Sequence, residues 1–146
     1  MIYKFSTKAE AVKDSKAPYG KQINDANDIV NFCRPLFQDI IAIKERLIAV
    51  YLNNANKVTG YYVISEGNTN STLFDNKSTL LHAVNTLASS CILVHNHPSG
   101  NNKPSAQDLQ GTKKLNEALR LVDCELIDHI ILTDENYFSF SNEGLC

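Results

Sequence analysis

The chain has 146 residues, of which 43% are hydrophobic and 21% are charged, and its formal net charge is −2. This is the composition of one globular domain, and no apolar run of about 18 residues or signal-peptide core indicates a membrane span or a secreted protein. Because its lysines and arginines are dispersed, the chain lacks the basic surface that general DNA binding requires.

The cysteines point to a reducing compartment. They stand at positions 33, 91, 124 and 146, and no Cys-x-x-Cys pair occurs among them. This wide spacing favours reduced thiols over a disulfide framework. We therefore expect a cytoplasmic protein that does not associate with membranes.

The first part of the chain divides into an arm and the start of a domain. Residues 1–24 are rich in lysine, alanine and serine and predict an extended arm, whereas residues 25–146 predict the folded domain. Apolar residues at helical spacing follow Asn24 and Asp25, and either of these can cap the helix. Pro35 should kink or split that helix.

The remaining elements alternate between apolar strands and helices. Helical spacing predicts a helix at 78–90 and another from Ser105 to about residue 121, with Leu109, Leu115 and either Leu119 or Val122 facing inward. The mixed order predicts an α/β or α+β fold, a sheet with helices packed on it. Predicted strands are 46–53, 57–65, 71–74, 91–97, 124–133 and 137–140.

Two histidines stand at the exit of the strand predicted at 91–97. Side chains alternate along a strand, so His95 and His97 should point to the same side. A Pro-Ser-Gly-Asn-Asn loop follows, and Ser105 then opens a helix whose first turn contains Asp108. From that position Asp108 can face both imidazoles.

Two histidines and one aspartate form a natural ligand set for zinc, with a fourth position open for water. Bound zinc polarises a carbonyl and lowers the pKa of water to about 7, so the implied chemistry is hydrolysis. Two plainer explanations stay open: the histidines could form a polar turn, and Ser105 with Asp108 could form a capping box. Cys91 is not an expected ligand, because strand geometry places it about 13 Å from His95.

The motif resembles that of a known metallopeptidase family. His95-x-His97, followed by Ser105 and Asp108 at this spacing, is similar to the full JAMM (MPN+) motif. The surrounding HNHPSG, PSAQD and DHIIL segments resemble the RadC family over residues 25–146. The resemblance implies a cytidine-deaminase-like JAB/MPN fold and a zinc-dependent hydrolase that cleaves a peptide or isopeptide amide bond in a peptide or protein substrate.

Two departures accompany this resemblance. Asn76-Lys77-Ser78 stand where the family usually has Pro-Arg-Glu, and the helix-hairpin-helix region usual in full-length RadC proteins is not evident. The historical RadC label also leaves a second function open, that of a DNA repair or recombination accessory. The acidic charge balance argues against strong direct DNA contact in that role.

The resemblance also implies catalytic residues. JAMM enzymes use an upstream glutamate as general base, and Glu45, just before an apolar strand, stands at the corresponding place. A solvated surface charge is the alternative, and Glu66 is the second candidate for the base. Ser105 would stabilise the oxyanion. His129 could orient the site or simply be a hydrogen-bonded core histidine.

Overall fold

The described part of the chain forms a five-stranded mixed sheet with three α-helices, which confirms the predicted α+β fold. The computed structural model describes residues 1–2, 20–67 and 74–146. The elements are α1 (Ala26–Cys33), β1 (Arg46–Leu52), β2 (Val58–Glu66), α2 (Asn76–Asn85), β3 (Ser90–Asn96), α3 (Ala106–Arg120), β4 (Glu125–Leu132) and β5 (Tyr137–Ser139). The strand order is β2-β1-β3-β4-β5, with β3 and β4 parallel and the other pairs antiparallel.

The central strands β1 and β3 are buried on both faces, which explains their unbroken apolar sequences. Alternate residues divide between two apolar clusters. Ile92 and Val94 pack on the face that carries α1, whereas Cys91 and Leu93 pack with Leu115 of α3. His95 continues the row of Cys91 and Leu93, so the alternation directs its side chain towards α3.

The first helix follows the sequence prediction. The Asp25 carboxylate accepts a hydrogen bond from the Asp28 amide and caps α1. Pro35 then lies in a short 3-10 helix, Arg34–Leu36, which confirms that the helical segment is split at this proline.

Two helix predictions need correction. The helix predicted at 78–90 spans Asn76–Asn85, with Asp75 as its N-cap. It ends early because Leu87 has a left-handed φ of 52° and Ser90 already belongs to β3. On α3, Leu115 and Leu119 are buried as expected, but Leu109 is 41% exposed, because the buried face of the helix begins at Asp108 and Leu109 lies about 100° around the helix from it.

Parts of the sequence prediction lie outside the described residues. The strand predicted at 71–74 falls there except for its last residue, as does most of the arm at 1–24. Within the described end of that arm, Gln22 forms a β-bridge with Lys57 beside β2. In the described part of the chain, no helix has the length and apolar character needed to cross a bilayer.

Candidate metal centre

The carboxyl end of β3 places two imidazoles side by side. His95 lies within the strand, fully buried, and pairs with Leu47 of β1 and Ile131 of β4. His97 continues the strand path, because its amide donates to the carbonyl of Leu132. The Nε2 atoms of the two histidines are 2.8 Å apart, so both rings point to the same side as predicted.

The start of α3 brings a carboxylate to these rings. Ser105 is the N-cap of α3 and forms a capping box with Asp108: the serine hydroxyl accepts from the Asp108 amide, and Asp108 Oδ2 accepts from the serine amide. Asp108 Oδ1 is 3.4 Å from His95 Nε2, and its Oδ2 is 3.3 Å from His97 Nε2. The cap therefore also aims the carboxylate at the histidines.

These three side chains fit a metal ion. Their ligand atoms all lie within 4.8 Å of one another, and the set combines two imidazole nitrogens with a carboxylate oxygen. His97 Nδ1 is 2.7 Å from the carbonyl oxygen of Asn101. A carbonyl only accepts, so Nδ1 carries the hydrogen, and in the neutral ring the Nε2 lone pair faces Asp108.

The electrostatics of the centre favour an ionised carboxylate. Burial acts to raise the pKa of Asp108, but the adjacent imidazoles of His95 and His97 outweigh it and hold that pKa well below its usual range. Burial likewise acts to lower the pKa of His97, and the hydrogen bond to Asp108 outweighs it, so that pKa is raised. The Asp108 carboxylate is thus ionised and available as a ligand for a cation.

Ser105 keeps a hydroxyl hydrogen for another partner. Its oxygen accepts from the Asp108 amide at 3.0 Å, a bond that leaves the hydroxyl free to donate. The residue is exposed at the helix start, next to the buried Asp108. A capping role and a donor role are therefore compatible at Ser105.

The two glutamates considered as the general base have different surroundings. Glu45 immediately precedes β1, and its charge is close enough to His97 to contribute to the raised pKa of that histidine. Glu66 forms ion pairs with Lys44 at 3.0 Å and Arg46 at 3.1 Å. Hydrogen bonds from Arg46, then Lys44, lower the pKa of Glu66, which makes it a weaker base.

Asn96, between the two histidines, has a role that we did not predict from the sequence. Its side chain points to the opposite face of the sheet and is fully buried. There Nδ2 donates to the carbonyls of Ile41 at 3.0 Å and Lys44 at 2.9 Å, and Oδ1 accepts from the Arg46 amide at 2.8 Å. Asn96 therefore fixes the segment that carries Glu45.

Two other residues singled out in the sequence are buried in the structure. His129 is fully buried, and its Nε2 atom lies 2.7 Å from Nδ1 of His95. It therefore contacts the centre directly. Cys91 is a buried thiol in the apolar cluster with Leu115, as expected, and burial raises its pKa well above the usual value. Among the described residues, each cysteine is free of disulfide bonds.

Comparison of the sequence with known proteins identifies a family and several relatives. The RadC-like JAB domain profile matches residues 23–145. A UPF0758 protein of Aquifex aeolicus is 41% identical over 102 residues, which cover 70% of this chain and 44% of the relative. A UPF0758 protein of Flavobacterium johnsoniae is 34% identical, covering 86% and 54%. One of Methanococcoides burtonii is 32% identical, covering 98% and 60%. The chain thus spans about half the length of these relatives.

Proposed function

The chain belongs to the family of RadC-like JAB domains, and on that premise we propose that it is a zinc-dependent hydrolase that cleaves a peptide or isopeptide amide bond. The observation that carries this proposal is the convergence of His95, His97 and Asp108, with all ligand atoms within 4.8 Å. Three protein ligands leave a fourth position open, which is the arrangement of catalytic rather than structural zinc sites.

Zinc suits this donor set better than magnesium or calcium, because imidazole nitrogens favour zinc and the harder cations prefer oxygen ligands. When bound, zinc polarises a carbonyl and makes water more acidic. The residues of this chain would hold the ion through His95 Nε2, His97 Nε2 and the Asp108 carboxylate.

Glu45 is the residue to which we assign the general base. A carboxylate beside the attacking water takes its proton and returns it to the leaving amine, a contribution of about 10²–10⁴-fold in rate. Two features support Glu45 over Glu66: Glu45 lies two residues before Leu47, which pairs with His95, and Glu66 is engaged by Lys44 and Arg46. Asn96 holds the segment that presents Glu45.

Ser105 is assigned to oxyanion stabilisation. Its hydroxyl accepts from the Asp108 amide and retains one hydrogen, which can be donated to the negative oxygen that forms when water adds to the carbonyl. Loss of one such donor lowers the rate by about 10²–10³-fold. We expect Ser105→Ala to lose rate together with about 1 kcal/mol of stability, since the cap is lost too.

The test combines metal analysis with cleavage assays. Purified protein supplied with zinc should contain about one zinc per chain by elemental analysis, and His97→Ala and Asp108→Ala should lose most of it. A screen of peptides and isopeptide-linked substrates should then detect cleavage by the wild type. Absence of zinc from the wild type would contradict the site assignment.

The matched variants for the base are Glu45→Gln and Glu66→Gln. We expect Glu45→Gln to keep its zinc and lose at least about 10²-fold in rate, because glutamine cannot accept the proton. Glu66→Gln should keep most of its rate. Cleavage at wild-type speed by Glu45→Gln would show that the base lies elsewhere.

For location and partners we propose a cytoplasmic protein acting on peptide or protein substrates, without strong direct nucleic-acid binding. The net charge of −2 and the free cysteines support this proposal. The names of the UPF0758 relatives state no activity.

A further inference from the structure

We infer that His129 and Thr112 are positioning residues that fix His95 in the tautomer with hydrogen on Nδ1, which leaves its Nε2 lone pair directed at the metal centre. This inference rests on the proposed metal site but goes beyond its ligands. It concerns a buried chain of hydrogen bonds that begins at one ligand, His95, and ends at another, Asp108.

The Thr112 hydroxyl determines which group donates in each of these hydrogen bonds. Its Oγ1 is 2.6 Å from the backbone carbonyl oxygen of Asp108 and 2.6 Å from His129 Nδ1. A hydroxyl has one hydrogen, and a carbonyl can only accept, so the hydroxyl donates to Asp108. The threonine oxygen must then accept from His129, which places a hydrogen on Nδ1 of that ring.

The surroundings of His129 leave it with a single ring hydrogen. The ring is fully buried, stacked on Phe140 with centroids 4.5 Å apart and edge-on to Phe74 at 6.2 Å. Its two ring nitrogens contact a neutral hydroxyl and another imidazole rather than a carboxylate. A buried cation without an anionic partner is strongly disfavoured, so the ring is neutral and its Nε2 is an acceptor.

The hydrogen between the two imidazoles therefore belongs to His95. His95 Nδ1 lies 2.7 Å from His129 Nε2, and it donates to that acceptor. A neutral His95 with hydrogen on Nδ1 has its lone pair on Nε2, the atom that lies 3.4 Å from Asp108 Oδ1. The opposite tautomer would place a hydrogen where the metal has to bind.

His97 is fixed in the same tautomer by a single hydrogen bond. Its Nδ1 donates to the Asn101 carbonyl in the adjacent loop. His95 lies inside the sheet, where the neighbouring backbone carbonyls already accept hydrogen bonds between strands. A side chain therefore has to accept the hydrogen of its Nδ1. This explains why a threonine and a third histidine are buried behind the centre.

The variants Thr112→Val and Thr112→Ser separate hydrogen bonding from packing. Valine has the shape of threonine but cannot accept from His129 Nδ1, so the His129 hydrogen should move to Nε2 and force His95 into the wrong tautomer. Serine keeps the hydroxyl and loses a methyl group. Circular dichroism and thermal unfolding would show that both variants are folded.

The primary readout is the tautomer of His95 in metal-free protein, from long-range ¹H–¹⁵N correlation spectra at about pH 9, above the usual imidazole pKa of about 6.5. The wild type and Thr112→Ser should show hydrogen on Nδ1 of His95, and Thr112→Val should show it on Nε2. Hydrogen on Nε2 in the wild type would overturn the inference without any variant.

The second readout is zinc affinity by competition with a chelating dye. Thr112→Val should bind zinc about 10–100-fold more weakly than the wild type, as is typical when a hydrogen-bond partner of a ligand is lost. Thr112→Ser should stay within about threefold of the wild type. The positioning role of Thr112 would be refuted if Thr112→Val and the wild type bound zinc equally well, or if both variants bound zinc equally weakly. Because the tautomer is measured without zinc or substrate, this test can fail while the hydrolase proposal stands, and the reverse.

Discussion

Replacing Asn96 with alanine tests whether the residue between the two histidines anchors the segment before β1. The substitution removes three well-formed hydrogen bonds: to the carbonyls of Ile41 and Lys44, and from the amide of Arg46. A fourth contact, to the Ile40 carbonyl, is long at 3.4 Å and contributes little.

The expected loss follows from these bonds. Each contributes about 1 kcal/mol net, and a partner left buried without a hydrogen bond adds to the penalty. Ile41 is half-buried and Lys44 exposed, so water can reach their carbonyls and the penalty stays small. We therefore expect the free energy of unfolding to fall by about 3 kcal/mol, which in a chain of this size lowers Tm by roughly 10 °C.

Urea unfolding of metal-free protein, followed by circular dichroism, measures this loss without a contribution from zinc. The matched control is Asn102→Ala, because the half-buried Asn102 side chain makes one long hydrogen bond, 3.3 Å from the Tyr137 carbonyl. The control should lose less than about 1 kcal/mol. If Asn96→Ala loses no more than the control, the anchoring role of Asn96 is wrong.

Three further predictions address pH, packing and nucleic acid. Burial raises the pKa of Asp128 despite hydrogen bonds from Ser139 and two backbone amides. The protonated Asp128 therefore stabilises the fold at low pH, and this contribution is lost as pH rises through the raised pKa. In urea titrations, the unfolding free energy of Asp128→Asn minus that of the wild type should accordingly be more positive at neutral pH than near pH 3. A difference that does not change with pH would contradict this. Gly111→Ala should destabilise the protein in thermal melts, because a Cβ there overlaps the Phe74 ring and overpacking costs about 1–3 kcal/mol, more than the gain of about 1 kcal/mol in helix propensity; a higher Tm would refute it. Fluorescence anisotropy with random duplex DNA should give a dissociation constant above about 1 µM at physiological salt, and tighter binding would favour the repair role.

The parts of the centre that could be predicted from the sequence depend on local rules. Alternation along a strand places His95 and His97 on one side, and the capping box fixes Asp108 in the first turn of α3. Both follow from spacing within a short segment. The same kind of rule predicted the splitting of the first helix at Pro35.

The missed features depend on contacts between distant segments. Asn96 anchors residues that precede it by a whole hairpin and a helix, and the Thr112–His129 bond joins a helix to a strand. No periodicity in the sequence reports such pairs. The early end of α2 was missed for a different reason: Leu87 takes the left-handed position after the helix that glycine usually fills, and the Ala88 amide donates to the Ala83 carbonyl across it.

The proposed ligands and the proposed base lie in different parts of the chain, so folding would assemble the metal site and the catalytic site in separate steps. The three proposed ligands lie within residues 95–108, a short loop whose closure costs little chain entropy, whereas Glu45 reaches them only when β1 pairs with β3. If the site holds zinc as proposed, an unfolded chain would therefore retain some zinc affinity, and zinc would stabilise the native state by less than its affinity for that state alone would give.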